Sequence, residues 1–172
     1  DPLEAADESS EIDIGAAVAV FLDDVPSGTR HDRAQETLRL LALANTVTLR
    51  GLASAELTRG NGSIHSMAAT AFSPVAVTPD ELGAAWDGKR ILRPISVRIN
   101  EKLLGEPDCG TDMQFDFPHL VAHAARTRRL GAGTVLGSGV IANTERDCGH
   151  ASIAELRALE TQDGIELTPY LR

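Results

Sequence analysis

The sequence predicts an α+β domain, on three observations. Ile12, Ile14, Ala16 and Val18 alternate with Asp13, Gly15, Ala17 and Ala19, so Ile12–Leu22 carries the period of a strand with two unlike faces. Ile95, Val97 and Ile99 alternate in the same way with Ser96, Arg98 and Asn100. Phe117, Leu120, Val121, Ala124 and Ala125 recur instead at helical spacing and form one apolar face.

Size and composition bound the rest. A chain of 172 residues suits one domain and buries a sizeable core. With four Phe, one Trp and one Tyr, that core must be built from Val, Ile, Leu and Ala. A net charge of −9 argues against nucleic acid or an anionic membrane as partner, since both need basic patches. No apolar run approaches the roughly 20 residues that cross a bilayer, and no leader is expected. Two cysteines without CxxC spacing read as free thiols in a reducing cytoplasm, not as a disulfide framework or a zinc site.

In order, residues 1–10 read as a frayed acidic lead-in. After the strand Ile12–Leu22, the cluster from Asp23 to Gly28 is a turn. Asp32 with Gln35 three residues on resembles a capping box and opens a helix expected to reach about Ala44, apolar at Ala34, Leu38, Leu41 and Ala42. Thr46–Leu49 is strand-like, Gly51–Arg59 a short helix ended by Gly60, and residues 61–63 a loop. Phe72–Val77 reads as a strand, Pro79–Leu82 as a helical turn and Trp86–Lys89 as a hairpin-like turn. Asn100-Glu101-Lys102 turns the chain after Ile99. Asp116 is placed to cap the helix that begins at Phe117 and Pro118 and carries Arg126, Arg128 and Arg129 in its last turn. Thr134–Leu136 is a strand, and Gly137-Ser138-Gly139 lets the backbone bend or approach a neighbour closely. Ser152–Glu160 fits helix or strand by pattern alone.

Three pieces in order, Ala69–Gly83 (ATAFSPVAVTPDELG), Asp112–Phe117 (DMQFDF) and Leu136–Gly139 (LGSG), resemble the C-terminal domain of the fumarylacetoacetate hydrolase family. The resemblance implies a mixed β-roll or β-sandwich with a few short helices, commonly in a homodimer. It favours strand for Ser152–Glu160, with Gln162-Asp163-Gly164 as a hairpin turn. Family members are longer on both sides, so residues 1–172 are expected to be one family domain truncated at both ends. The family holds magnesium or calcium through carboxylates, and the ion polarises a 1,3-dicarbonyl or 2-oxo acid while a carbon–carbon bond breaks.

This sequence departs from that pattern. The resemblance places two ligand glutamates at Gly15 and Ala17, and the third carboxylate at Thr46. A lysine falls at Met67, after Ser66, and a threonine at Val140. Glu11 and Asp13 have alternate spacing, but they stand four residues too early, about 13 Å along a strand. Only fourteen residues precede Gly15 and none is a histidine, so the family's His–Glu lid pair is missing from this stretch. Neither family metal nor any other cofactor is therefore expected.

The remaining candidates are weaker. His65, Ser66 and Thr46 are candidate catalytic groups, with Ser138, Gly139 and Val140 lining a substrate region whose amides would stabilise an anion. His119 and His123, four apart, share a helix face and have the spacing for a borderline metal, but read first as a solvent-facing pair. Cys148-Gly149-His150 places a thiol near an imidazole without a visible third group. His31 is expected at the surface, and Arg50 and Arg98 as solvated charges.

The functional expectation is a degenerate family member, acting as a non-catalytic partner or ligand-binding subunit for a small oxo-acid or enol ligand, in a homodimer or a heteromer with a catalytic relative. A repurposed metal-free enzyme (lyase, tautomerase or cyclase) is the alternative. Family-type hydrolysis of an acylpyruvate is the third.

Overall fold

The computed structural model describes residues 10–60 and 62–171. Residues 1–9 of the expected lead-in, Asn61 of the expected loop and Arg172 lie outside them. The centre is the strand β1 (Ile12–Leu22), with the bounds its alternation predicts. It pairs antiparallel with β2 (Leu38–Leu49), which pairs with β3 (Met67–Phe72); on its other side β1 pairs with β6 (Val135–Gly137). The sheet order is β3-β2-β1-β6, and a separate hairpin joins β4 (Val97–Ile99) to β5 (Lys102–Gly105). Its turn residues Asn100 and Glu101 take φ of 48° and 67°, as a tight two-residue hairpin requires.

The helix expected to reach Ala44 ends far earlier. α1 is His31–Ala34, a 3-10 turn covers Gln35–Thr37, and Leu38 already belongs to β2. Leu38 and Leu41 are three apart and both buried, which imitates a helix. The cause is a bulge: Phe21 pairs with Leu40 but Leu22 with Leu38, so Arg39 is an extra residue and the face shifts by one. The expected strand Phe72–Val77 is displaced upstream to β3. Pro74 has no N–H to give, and Ser73 Oγ turns back to donate to Val75 O at 2.7 Å. Only Val77 rejoins, exchanging two backbone bonds with Leu41.

α2 (Arg50–Arg59) stops at Gly60 in the left-handed conformation, φ 72°. α3 (Phe117–Ala124) starts as expected, with the Asp116 carboxylate accepting from the His119 amide at 3.0 Å. It ends before Arg126, Arg128 and Arg129, because Gly28 N–H takes Ala125 O and Leu130 then pairs with Val25. Ser152–Glu160 is not a strand but the first part of α4 (Ile153–Asp163). Ser152 Oγ accepts from the Glu155 amide, and Gly164 is its left-handed C-terminal residue. The Asp13 carboxylate completes that start, accepting from Ile153 N at 2.8 Å.

The even face of β1 (Ile14, Ala16, Val18, Val20, Leu22) packs with Leu38 and Leu41 of β2, Val25, Val97, Phe117, Val121 and Ala125 into one core. Each fully buried Val, Leu or Phe side chain among them adds about 1.5–3 kcal/mol. The odd face carries Asp13, Gly15, Ala17 and Ala19, opposite Thr48, Thr46, Ala44 and Ala42 of β2. That face positions the site.

Candidate functional site

Gly15 and Thr46 are direct cross-strand partners, and Thr46 Oγ1 donates to Gly15 O at 3.1 Å. A Cβ on Gly15 would stand 2.5 Å from Val140 Cγ2 and 2.6 Å from Thr46 Oγ1. Three positions singled out in the sequence thus meet at one point, with side chains filling the space above Gly15. Ala17, one alternation further, is buried opposite Ala44. Between them Gly15, Ala17 and Thr46 offer one hydroxyl and no carboxylate.

Ser138, Gly139 and Val140 form one wall of a cleft of about 260 Å³. Its other walls include Asp108, Cys109 and Asp112. Ser138 N donates to Val18 O at 2.8 Å, so that amide is committed to the sheet edge. Asp108 Oδ1 accepts from the amides of Gly110 and Thr111, and Asp112 Oδ2 from Thr144 N. Burial pushes the Cys109 thiol up to about 12, with the Asp108 charge adding to it.

His65 and Ser66 do not face this cleft. Both are drawn to Glu56 of α2, a residue the sequence did not mark. Ser66 is wholly buried and its Oγ donates to Glu56 Oε2 at 2.6 Å. The amides of Ile64, His65 and Ser66 donate to the same carboxylate, and His65 Nδ1 lies 3.0 Å from Oε1. The Ser66 hydroxyl, then the His65 and Ser66 amides, hold the Glu56 carboxyl down to about 2. Met67, where the sequence led us to expect the family's lysine position, opposes Thr48 on an exposed strand.

Asp13, weighed as a displaced ligand, is 1% exposed and taken up elsewhere. Arg50, expected in solvent, gives Nε and one Nη to Asp13 Oδ2, at 2.9 and 2.6 Å. Cys148 donates to Glu145 O at 2.9 Å. Burial, and then nearby carboxylates, push its thiol up, away from the thiolate a nucleophile needs. His119 pairs with His31, not with His123: His31 Nε2 and His119 Nδ1 approach Asp116 Oδ1 at 3.0 and 2.8 Å.

Residues 1–168 match the family model described as fumarylacetoacetate (FAA) hydrolase C-terminal. The chain belongs to the fumarylacetoacetate hydrolase family. No curated protein matches it. Among solved structures, a Yersinia pestis CO92 protein assigned to the family superposes with a TM-score of 0.67 at 19% identity, over 81% of this chain and 65% of that one. The fumarylacetoacetate hydrolase EaFAH of Exiguobacterium antarcticum gives 0.64 at 20% identity, over 87% and 53%. The 5-carboxymethyl-2-hydroxymuconate delta-isomerase of Mycobacterium smegmatis gives 0.57 at 16% identity, over 77% and 49%. The chain therefore spans only part of each of these family structures, which share its curled antiparallel sheet and few helices. No helix among the described residues is long and apolar enough to cross a membrane.

Proposed function

We propose that this family member has given up the family's metal chemistry and serves as a non-catalytic subunit that associates with a catalytic relative. The observation that carries the reading is the packing at Gly15. A hard divalent cation needs several oxygen ligands, most of them charged. The three positions assigned to those ligands supply one hydroxyl already donating to a backbone carbonyl, and the Val140 methyl group occupies the space above Gly15. The residues present do not fit magnesium or calcium.

The partner role is favoured over a dedicated oxo-acid site by the charge of the cleft. Its ionisable lining beyond the thiol is two carboxylates, Asp108 and Asp112, and no cation. An anionic oxo acid would meet repulsion there, not a clamp. The second reading, a metal-free enzyme working through Thr46, His65 and Ser66, would need those groups around one substrate. Ser66 and His65 are instead bound to Glu56, and Thr46 to Gly15.

Calorimetric titration of the purified chain with magnesium or calcium, alongside an acylpyruvate cleavage assay with and without chelator, tests this. Neither heat of binding nor turnover is expected. Micromolar binding with chelator-sensitive turnover would overturn the reading, and turnover untouched by chelator would select the metal-free enzyme. Copurification from the native host is expected to bring down a catalytic family member in stoichiometric amount.

A further inference from the structure

A different cluster has donors that Gly15, Ala17 and Thr46 lack. His31 opens α1 and His119 lies in the first turn of α3. Packing of these helices brings both rings onto the carboxylate of Asp116, the residue that caps α3. The His31 and His119 ring centroids are 3.8 Å apart. His31 Nε2 is 3.0 Å and His119 Nδ1 2.8 Å from Asp116 Oδ1, with His31 Nε2 also 3.3 Å from Oδ2. One ligand atom from each residue falls within 4.8 Å of the others.

We propose that His31, Asp116 and His119 form a binding site for a divalent transition-metal ion, zinc foremost, that ties α1 to α3. Two imidazoles and one carboxylate are the donor set of borderline cations, whereas magnesium and calcium select oxygen alone. Around zinc, ligand atoms at about 2.0–2.1 Å in a tetrahedron stand about 3.3 Å apart. The present separations are hydrogen-bond lengths a few tenths of an ångström shorter, so a small rotation of two partly exposed rings opens the space.

The carboxylate is preorganised. Its side chain is 6% exposed and fixed by the His119 amide, so its position is set by the helix start and not by the metal. The rings are accessible: the His31 side chain is 32% exposed and that of His119 52%. An ion thus has an entry path, and water has room in the remaining coordination positions. The net charge of −9 favours cation capture generally. The site is independent of the subunit reading above and predicts a different ion.

The test is titration of the 172-residue chain with zinc chloride by calorimetry, with cobalt(II) absorption as a second readout and magnesium as a control. One equivalent of zinc is expected to bind at micromolar concentration or tighter and to raise Tm, as any ligand of the native state does. His31→Gln or His119→Gln should each weaken binding on the order of tenfold or more and abolish the Tm rise. Asp116→Asn keeps a good helix cap and should also weaken it. His123→Gln should change nothing. Absence of zinc binding overturns the proposal, as does binding that survives all three ligand variants or is lost equally in His123→Gln. In each of those cases the cluster is only a hydrogen-bonded cap.

Discussion

Gly15 concentrates the residue-scale logic. Its backbone is ordinary strand, so a side chain there is opposed only by neighbours, Val140 Cγ2 at 2.5 Å and Thr46 Oγ1 at 2.6 Å from the Cβ position. In an open strand, replacing glycine with alanine would gain roughly 0.5–1 kcal/mol. Overpacking a filled site costs about 1–3 kcal/mol, so crowding should win. Gly15→Ala is expected to destabilise by about 1–2 kcal/mol in urea unfolding. In a Thr46→Ala Val140→Ala background the same change should become neutral or stabilising. A stabilising Gly15→Ala in the otherwise unchanged chain would show that the space is not filled as described. Gly15, Ala17, Thr46 and Val140 were singled out in the sequence because the family resemblance places functional positions there. Their mutual contact was not legible, since only strand pairing brings together residues 31 apart such as Gly15 and Thr46. Glu56 carried no signal at all: its role comes from the Ile64–Ser66 loop folding back onto α2, which no local pattern encodes.

At the scale of elements, β1 and the start of α3 were legible because each has a complete local signature, strict alternation in one and an Asp-Phe-Pro cap in the other. β2 was misread because the bulge at Arg39 converts a strand's two-residue period into a three-residue one. α4 was ambiguous for a different reason: part of its start signal lies in Asp13, far away in sequence on β1. Asp13 bridges three elements, accepting from Arg50 of α2 while its other oxygen accepts from the first amides of α4. Asp13→Ala is therefore expected to cost about 3 kcal/mol, near the value for breaking a buried pair. Arg50→Ala should cost clearly less, because Arg50 is 34% exposed and Asp13 would keep its helix amides. Chemical denaturation of the two variants gives the order. Equal costs would mean that the contact with α4 contributes nothing.

Across the whole molecule, the folded chain shifts titratable groups in opposite senses at the two ends of the pH scale. Bonds from Arg39 lower the Asp23 carboxyl, bonds from Arg129 that of Asp24, and bonds from Thr168 that of Glu160, while Glu56 falls from 4.5 to about 2. Carboxyls lowered in the folded state bind fewer protons there than in the unfolded chain, so stability rises with pH through the acid range. The Glu56 contribution is complete above 4.5 and is lost as pH falls towards 2. Cys109 runs the other way, raised from 9.0 to about 12 by burial and by Asp108. Its contribution is complete below 9.0 and is lost as pH rises towards 12, where the unfolded thiol ionises and the folded one does not. Tm measured against pH should show a plateau between two falling limbs. Glu56→Gln should lower the plateau and flatten the acid limb, because a neutral amide keeps the size of the side chain but has no proton to gain. Cys109→Ala should flatten the alkaline limb and leave the acid limb unchanged. An acid limb unchanged by Glu56→Gln would assign that limb to Asp23, Asp24 and Glu160 and leave the Ile64–Ser66 clamp on Glu56 without a part in it, whereas an alkaline limb unchanged by Cys109→Ala would assign that limb to groups other than Cys109.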